Sequence, residues 1–404
     1  MKVRAKYSGA AGRGACSGKG GHAQAWSRLR GLAALWPLVA VVVGGVLVLV
    51  FSPSGGDAAS ASTVRTYYIA ADTVPWNYAP SGKNQITGKP FTDAEQVFVQ
   101  RGLHRIGGTY LKSIYRSYTD ATFTQLKSRS ASDAYLGLLG PVIRAEVGDT
   151  IKIVFLNRTA YPASVHAHGV FYEKDSEGAP YADGTSGADK RDDAVKPGGR
   201  HTYTWRVPER AGPGPMDGSS ILWMYHSHTD EVADTNAGLL GPIVVTQRGM
   251  ARADGSPKDV DRELFSFFSV MNENQSPYLD RNIRRYAGDP AGVDPDDEDF
   301  QESNLMHSIN GYVYGNMPVP TINQGRRVRW YVFGLGTEVD LHTPHWHGNT
   351  VLTRGGMRSD MLDLLPGDMM VADMTPDDPG LWLYHCHVND HILAGMMARY
   401  RVTP

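Results

Sequence analysis

Hydrophobic and polar residues alternate over short distances through most of this chain. From residue 67 onward, short runs rich in β-branched and aromatic residues are separated by Gly, Pro, Asn and Asp, and no long amphipathic helix is visible. Runs of this kind, bounded by turn residues, are typical of β-strands. The pattern therefore predicts an all-β protein built from β-sandwiches.

The β-rich part of the chain repeats itself once. VIRAEVGDTIKIVF followed by HAHG, within residues 142–169, matches PTINQGRRVRWYVF followed by HTPHWHG, within residues 320–348. Residues 223–245 likewise match residues 382–402. We therefore predict a first domain at 63–247, a polar, Gly-containing linker at 248–261, and a second domain at 262–404.

The N-terminal part has a different composition. Residues 1–30 carry Lys and Arg but no acidic residue, and residues 31–51 are apolar without a single charge. An apolar stretch of this length spans a bilayer as a helix, and basic residues before it favour a cytoplasmic N-terminus. We predict a basic cytoplasmic tail (1–30), a transmembrane signal anchor (31–51) and a linker (52–62), with the β domains on the extracytoplasmic side. The alternative is a cleaved signal peptide and a secreted protein.

Charge and cysteine content narrow the choice of function. The chain has 40 Lys and Arg against 42 Asp and Glu, so it lacks the basic excess of a nucleic-acid-binding protein. Its 404 residues, 41% of them hydrophobic, suffice for two domains with their own cores. Cys16 and Cys386 are the only cysteines, so no disulfide framework is available and Cys386 is free to bind metal.

Ten of the fourteen histidines fall into four clusters, which read HAHG, YHSH, HTPHWHG and YHCHVNDHILAGM. On a strand, alternate residues share a face, so the two histidines beside Cys386 point away from the cysteine. A thiolate, imidazoles and a thioether in one short stretch are the ligand set of a blue-copper site. A lone histidine pair is ordinary, but four clusters in this order indicate bound metal.

These motifs resemble HxHG, HxH, HxxHxH and HCHxxxHxxxxM of the multicopper oxidases, and all four are present. Flanking sequences such as YYIAADTVPWNYAPSG and GLGTEVDLHTPHWHG are similar to the ceruloplasmin and hephaestin branch. The resemblance runs from about residue 66 to the C-terminus and is of the two-domain type. It implies two cupredoxin-like Greek-key β-sandwiches, four coppers per catalytic unit, and oxidation of a one-electron substrate coupled to reduction of dioxygen to water.

The resemblance also implies which residues bind copper. The type 1 (blue) copper would be held by His342, Cys386, His391 and Met396. The type 2 copper would be held by His166 and His345. The type 3 pair would be held by His168, His226, His228, His347, His385 and His387. The first domain has Ser227 and Val232 at the positions of Cys386 and His391, so it would hold no blue copper.

The type 2 and type 3 ligands are divided equally between the two domains. Their copper cluster must therefore lie where a first domain meets a second domain. Two-domain relatives typically close into rings of three chains, so the resemblance implies a homotrimer.

Four more residues match the iron site of the ceruloplasmin branch, namely Glu302, His307, Glu338 and Asp390. Carboxylates with one imidazole bind Fe(III) more tightly than Fe(II), which favours loss of an electron. The leading interpretation is a ferroxidase whose partners are Fe(II) and dioxygen. The alternatives are a laccase-like oxidase of phenols or amines, a Cu(I) oxidase, and a non-enzymatic copper-binding protein.

Two groups of residues have competing interpretations. Asp230, Glu231 and Asp234, which follow YHSH, would deliver protons, orient histidines, or simply be solvated carboxylates of a loop. Met357, Met361, Met369, Met370 and Met374 would either handle Cu(I) or fill the core. Their apolar, strand-like surroundings favour core filling.

Overall fold

The structure, a computed structural model, describes residues 62–404. The predicted cytoplasmic tail, the predicted transmembrane anchor and all but the last residue of the predicted linker lie outside the described residues. Within residues 62–404, none of the helices has the length and hydrophobicity that a membrane crossing requires.

The strands before residue 248 form two four-stranded sheets. They are β1 (Val64–Asn77), β2 (Thr109–Tyr118), β3 (Ile143–Glu146), β4 (Thr150–Arg158), β5 (His166–Ala167), β6 (Arg200–Arg206), β7 (Ser220–His226) and β8 (Leu240–Thr246). One sheet has the order β2-β1-β4-β6 and the other the order β3-β8-β7-β5. Inward side chains of both sheets, such as Ile153, Trp205 and Val245, are buried in one core.

The strands after residue 261 form a six-stranded and a four-stranded sheet. They are β9 (Arg262–Asn272), β10 (Leu305–Ile309), β11 (Thr321–Asn323), β12 (Val328–Gly334), β13 (Pro344–Trp346), β14 (Val351–Leu352), β15 (Arg358–Ser359), β16 (Met369–Met374), β17 (Gly380–Cys386) and β18 (Met397–Thr403). The sheet orders are β10-β9-β12-β16-β14-β15 and β11-β18-β17-β13.

The helices are short and lie in the connections. The α-helices are α1 (Asp93–Val99), α2 (Glu231–Ala237), α3 (Leu279–Tyr286), α4 (Glu298–Ser303) and α5 (Asn389–Leu393). Short 3₁₀ helices lie at Ala131–Leu136, Lys174–Ser176, Gly187–Lys190, Glu209–Ala211, Glu273–Gln275, Pro290–Gly292 and Arg354–Gly356. This content confirms the prediction of an all-β fold.

The two halves repeat one connectivity. In the first half β1 runs parallel to β4, and in the second half β9 runs parallel to β12 in the same way. The strand order of the second sheet is also repeated, as β3-β8-β7-β5 in the first half and β11-β18-β17-β13 in the second. The register repeats as well, because His166 faces His226 across β5 and β7 just as His345 faces His385 across β13 and β17. The exact domain boundaries remain a prediction.

A continuous apolar core joins the two halves. One cluster of buried side chains includes Leu222 from the first half and Leu264 from the second. Within this interface the ammonium of Lys112 pairs with the carboxylate of Glu273, and both are fully buried. Tyr78 donates its hydroxyl proton to Glu273 at 2.6 Å. Replacing one member of this pair by a neutral residue would leave the other as an unpaired buried charge, which is strongly unfavourable.

The five methionines assigned to the core divide between core and surface. Met374 is buried in β16, and Met369 and Met370 are half-buried there. Met357 and Met361 are instead 69% and 38% exposed, because they flank the two-residue edge strand β15. The core-filling prediction is therefore wrong for Met357 and Met361.

Candidate metal centres

The thiol of Cys386 and two imidazoles converge at the end of β17. The Cys386 sulfur lies 3.5 Å from His391 Nδ1 and 3.9 Å from His342 Nδ1, and the two nitrogens are 3.1 Å apart. All three side chains are buried. Helix α5 carries His391 back towards the cysteine, and a bridge to Leu364 holds His342 in the loop before β13. We call Cys386, His342 and His391 the type 1 group.

The type 1 group holds its sulfur in the form that binds metal. Burial raises the pKa of the Cys386 thiol, but hydrogen bonds from His342 and His391 and from the Thr343 amide outweigh burial and hold it at about 6. The thiol is therefore largely a thiolate at neutral pH. Met396 is also buried, and its backbone bonds to Cys386 and His391 at 3.1 and 2.8 Å.

The other candidate copper ligands form two quartets of histidines, one in each half. The first quartet is His166, His168, His226 and His228, and the second is His345, His347, His385 and His387. His168 Nε2 lies 3.0 Å from His226 Nε2, and His347 Nε2 lies 3.0 Å from His385 Nε2. The halves thus present equivalent clusters of imidazole nitrogens.

Backbone carbonyls fix the tautomers of four of these rings. Nδ1 of His166 and Nδ1 of His345 lie 2.7 and 2.9 Å from carbonyl oxygens. Nδ1 of His226 and Nδ1 of His385 lie 3.0 and 2.6 Å from the carbonyl of the following residue. Because a carbonyl only accepts, each Nδ1 carries the proton and each Nε2 keeps its lone pair for a metal.

Glycine ends the HxHG motif in both halves for a steric reason. Gly169 and Gly348 both have φ +71°, and a Cβ atom would lie within 2.0 Å of Trp223 and 2.5 Å of Trp382, respectively. The tryptophan thus packs directly against the backbone that follows the second histidine. Any larger residue would displace His168 or His347 from its quartet.

The two quartets are separate within one chain. Among residues 62–404, no ring contact, hydrogen bond or common ligand group joins a histidine of the first quartet to one of the second. Each quartet is therefore half of the ligand set predicted for the type 2 and type 3 coppers.

Comparison with known proteins identifies the family. Two models described as multicopper oxidase match residues 118–249 and 289–404. Human hephaestin is 46% identical over 343 residues, mouse Ferroxidase HEPHL1 is 45% identical over 344, and rat ceruloplasmin is 43% identical over 354. The chain belongs to the multicopper oxidase family. These relatives belong to the ceruloplasmin and hephaestin branch, as the sequence motifs predict.

The chain is much shorter than these relatives. The matches cover 84% of the chain but 29% of human hephaestin and of mouse HEPHL1, and 87% of the chain but 33% of rat ceruloplasmin. This multicopper oxidase therefore spans about a third of the length of the curated relatives it matches.

Solved structures support the cupredoxin-like fold. A crystal structure of a multicopper oxidase superposes with a TM-score of 0.52 at 19% identity, covering 85% of this chain and 90% of that one. Copper nitrite reductase from Nitrosomonas europaea superposes with a TM-score of 0.53 at 16% identity, covering 84% and 94%. At these identities the likeness concerns the fold alone.

Membership of the family implies copper of types 1, 2 and 3, and the residues present fit this metal. In each quartet two Nε2 atoms face one another at 3.0 Å, and only a shared proton or a cation relieves the repulsion of two lone pairs at that distance. In the type 1 group, a thiolate and two imidazoles are the soft donors that copper prefers.

The structure brings one of the four predicted iron-site residues against the type 1 group. His307 is buried, with its ring 5.3 Å from that of His391. Burial, and then the neighbouring imidazole, lowers the pKa of His307 to about 4. Glu302, Glu338 and Asp390 are exposed. Among the described residues these carboxylates form no metal-binding group with His307, so their role as iron ligands stays a prediction.

The three acidic residues after the first HSH differ in their surroundings. Glu231 Oε2 lies 3.3 Å from His228 Nε2, so its carboxylate faces the first quartet. Asp234 is buried and accepts a hydrogen bond from the Ser227 hydroxyl at 2.6 Å, and burial raises its pKa to about 6. Asp230 caps helix α2. Of these three residues, Glu231 is the one whose carboxylate contacts a candidate metal ligand.

The sequence analysis missed a carboxylate beside the type 1 group. Asp340 is 2% exposed, and its Oδ1 lies 3.4 Å from His342 Nε2. The spacing Asp-x-His in EVDLH was visible in the sequence. An aspartate two residues before a histidine is common, however, and does not by itself indicate contact.

Burial of His226 predicts acid sensitivity of the copper-free protein. Burial lowers the pKa of His226 from 6.5 to about 4, so the unfolded chain binds a proton at higher pH than the folded chain does. We expect stability to be lost as the pH falls from about 6.5 to about 4, by roughly 2–3 kcal/mol from His226. The raised pKa of Asp234 acts in the opposite direction and offsets part of this loss.

Chemical denaturation of copper-free protein across this pH range measures the effect. The His226→Asn variant serves as the control and should show a shallower decline with acidification. An identical pH dependence of stability in the wild-type protein and in His226→Asn would contradict the assigned burial.

Proposed function

We propose that the protein is an enzyme that takes single electrons from a reducing substrate, in the first place Fe(II), and delivers them to dioxygen, which is reduced to water. The observation that carries this proposal is the type 1 group, because its Cys386 stands in the sequence between His385 and His387 of the second quartet. A thiolate that is a direct neighbour of two histidines of the other candidate centre connects the two sites. Membership of the multicopper oxidase family supports this interpretation.

The chain's own residues supply the connection between the sites. The backbone runs directly from Cys386 to the histidine on each side, and His385 Nδ1 donates to the Cys386 carbonyl at 2.6 Å. Copper bound at the type 1 group would accept and release single electrons, and copper bound at the quartets would bind and reduce dioxygen. The burial of the type 1 group excludes water from the sulfur.

Iron is the preferred substrate for two reasons. Glu302, His307, Glu338 and Asp390 match the iron-site pattern of the ceruloplasmin branch, and one similar protein is named Ferroxidase HEPHL1. His307 contacts His391, and Asp390 adjoins His391 in the sequence, which gives a short route from bound iron to the type 1 group.

Removing two carboxylates tests the iron proposal. We expect the Glu302→Ala, Asp390→Ala double variant to oxidise Fe(II) at least about tenfold more slowly and to keep its turnover of a phenol, because a lost metal ligand costs more than a kcal/mol of binding. Oxygen uptake with each substrate measures both rates. Glu298→Ala, an exposed acidic residue of the same helix α4, is the matched control. Unchanged Fe(II) turnover in the double variant would reject iron and leave the laccase-like reaction.

Cu(I) is a second candidate substrate. Met357 and Met361 expose their side chains at the surface, and Met361 is bridged to His345 of the second quartet. Thioethers are soft donors that suit Cu(I). Oxygen uptake with Cu(I) that falls in a Met357→Leu, Met361→Leu variant while Fe(II) turnover persists would support this reaction. Copper-loaded protein that takes up no oxygen with any reductant would indicate a non-enzymatic copper-binding role.

We further propose that three chains assemble into a ring in which the first quartet of one chain meets the second quartet of its neighbour. Each quartet holds half of the predicted ligands, and a cleft of about 660 Å³ opens beside His345 and His347. Val232, next to the first quartet, and Leu352, which lines the cleft, are 54% and 40% exposed, respectively, as expected of side chains that an assembly covers. Glu338 would then reach the iron site of a neighbouring chain.

The proposed location is extracytoplasmic. Residues 31–51 are predicted to anchor the chain in a membrane with the two β domains outside, and cleavage to give a secreted protein is the alternative. Detection of the protein in the membrane fraction, against the culture medium, distinguishes the two.

A further inference from the structure

We propose that Asp340 is a positioning residue of the type 1 copper site, where its carboxylate keeps the proton of His342 on Nε2, directs Nδ1 at the metal and lowers the reduction potential of the site. The inference rests on the proposed function, because it assumes that the type 1 group binds copper. It concerns a residue that the copper and iron motifs do not include.

The contact between the two side chains is buried. Asp340 Oδ1 lies 3.4 Å from His342 Nε2, and the two residues are 2% and 1% exposed. Within residues 62–404 this buried Nε2 completes no hydrogen bond, and the Asp340 carboxylate is the charged group that lies beside it. The opposite nitrogen of the ring, Nδ1, faces His391 Nδ1 at 3.1 Å and the Cys386 sulfur at 3.9 Å. An acceptor behind Nε2 therefore decides which nitrogen of His342 is free for the metal.

The surrounding backbone fixes the Asp340 carboxylate in place. The amide of Val270 in β9 donates to Oδ1 at 2.6 Å, and the amide of Thr337 donates to Oδ2 at 2.9 Å. Gly336 has φ +139°, and a Cβ atom there would lie 2.0 Å from Oδ2, so this position must be a glycine for the loop to close around the carboxylate. An aspartate held by amides from two elements imposes its position on His342 rather than following it.

The two imidazoles of the type 1 group differ in the group that lies behind each ring. The ring of His391 is backed by the ring of His307 at 5.3 Å, whereas His342 is backed by a carboxylate. An imidazole that donates to a carboxylate is a stronger electron donor to a bound metal. A stronger donor stabilises the oxidised form of copper, which lowers the reduction potential. Such a site still oxidises iron bound by carboxylates, because those ligands favour Fe(III).

Replacing the carboxylate by an amide tests the inference. In the copper-loaded protein, we expect Asp340→Asn to raise the reduction potential of the type 1 copper, to alter its electron paramagnetic resonance signal, and to weaken copper binding by about 10–100-fold. Asp363→Asn is the matched control, since Asp363 is an exposed carboxylate beside Leu364, which pairs with His342. A potential and a signal identical in wild-type protein and Asp340→Asn would overturn the inference. Asp340→Glu, which restores the charge, should recover part of the shift.

A measurement on the wild-type protein covers the case in which Asp340→Asn does not fold. In anaerobic Cu(I)-loaded protein, nitrogen NMR should show a His342 Nε2 proton that exchanges slowly with solvent. A His342 ring that carries its proton on Nδ1, or an Nε2 proton that exchanges rapidly, would overturn the inference. A wild-type protein that forms no blue centre would instead refute the proposed function, so the two failures are distinguishable.

Discussion

The Cys386→Ser variant should lose substrate-driven oxygen uptake by at least about a hundredfold, because loss of a metal ligand exceeds the 10–100-fold cost of losing a residue that only supports one. The fold should persist, since the first half carries Ser227 at the equivalent position, where the serine is buried and hydrogen-bonded. Serine has no accessible anionic form at neutral pH, so the type 1 group would lose its thiolate.

In copper-loaded protein, oxygen uptake measures the loss of activity, and visible absorption measures the loss of the thiolate from the type 1 group. Cys16→Ser changes the other cysteine of the chain and is the control, with unaltered activity and colour expected. A Cys386→Ser variant that kept more than about a tenth of the rate would show that electrons do not pass through this residue.

Two inactive variants should restore each other when they are mixed in one assembly. His168→Ala disables the first quartet and His347→Ala the second, so either variant alone should be inactive. In every mixed ring of three, an intact first quartet of one chain meets an intact second quartet of its neighbour at one of the three interfaces, so roughly a third of the wild-type activity should return. This follows because the quartets do not contact each other within one chain.

Co-expression of two differently tagged variants, purified through both tags, provides the mixed assembly. His168→Ala mixed with His226→Ala is the control, because both lesions lie in the first quartet and no interface contains an intact pair. Purified mixed oligomers of His168→Ala and His347→Ala without activity would show that the quartets do not combine between chains.

Local pattern was sufficient to predict the all-β fold and the clustering of histidines within each half. Strand alternation places His385 and His387 on one face, and the internal repeat carries the same arrangement to His226 and His228. In the structure, His166 accordingly lies opposite His226 in the first half, and His345 lies opposite His385 in the same way in the second half. These features depend on spacings of two residues and on similarity between the halves, both of which a sequence displays directly.

Features that depend on distant contacts were not predictable in the same way. Lys112 and Glu273 are 161 residues apart in the sequence, and their flanking sequences do not indicate a buried ion pair. The position of Asp340 depends on a hydrogen bond from the backbone amide of Val270, which is distant in the sequence. Met357 and Met361 resemble core residues in the sequence, and their exposure follows from the position of β15 at a sheet edge.

The first half shows how the fold fills a position that lacks a cysteine. Ser227 donates to Asp234, and the amide of Ser164 donates to Ser227 at 3.0 Å. Hydrogen bonds thus occupy the place that a thiolate and a metal would take in the second half. This arrangement agrees with the prediction that the first domain holds no blue copper, a prediction that metal analysis has to test.

Copper content, measured together with colour, tests the central claim most directly. Purified protein that has been reconstituted with copper should contain four copper ions per chain, should be blue when oxidised, and should lose this colour when Fe(II) is added without oxygen. One copper ion or none per chain, or an oxidised sample without colour, would contradict the assignment of Cys386, His342, His391 and the two quartets as copper ligands.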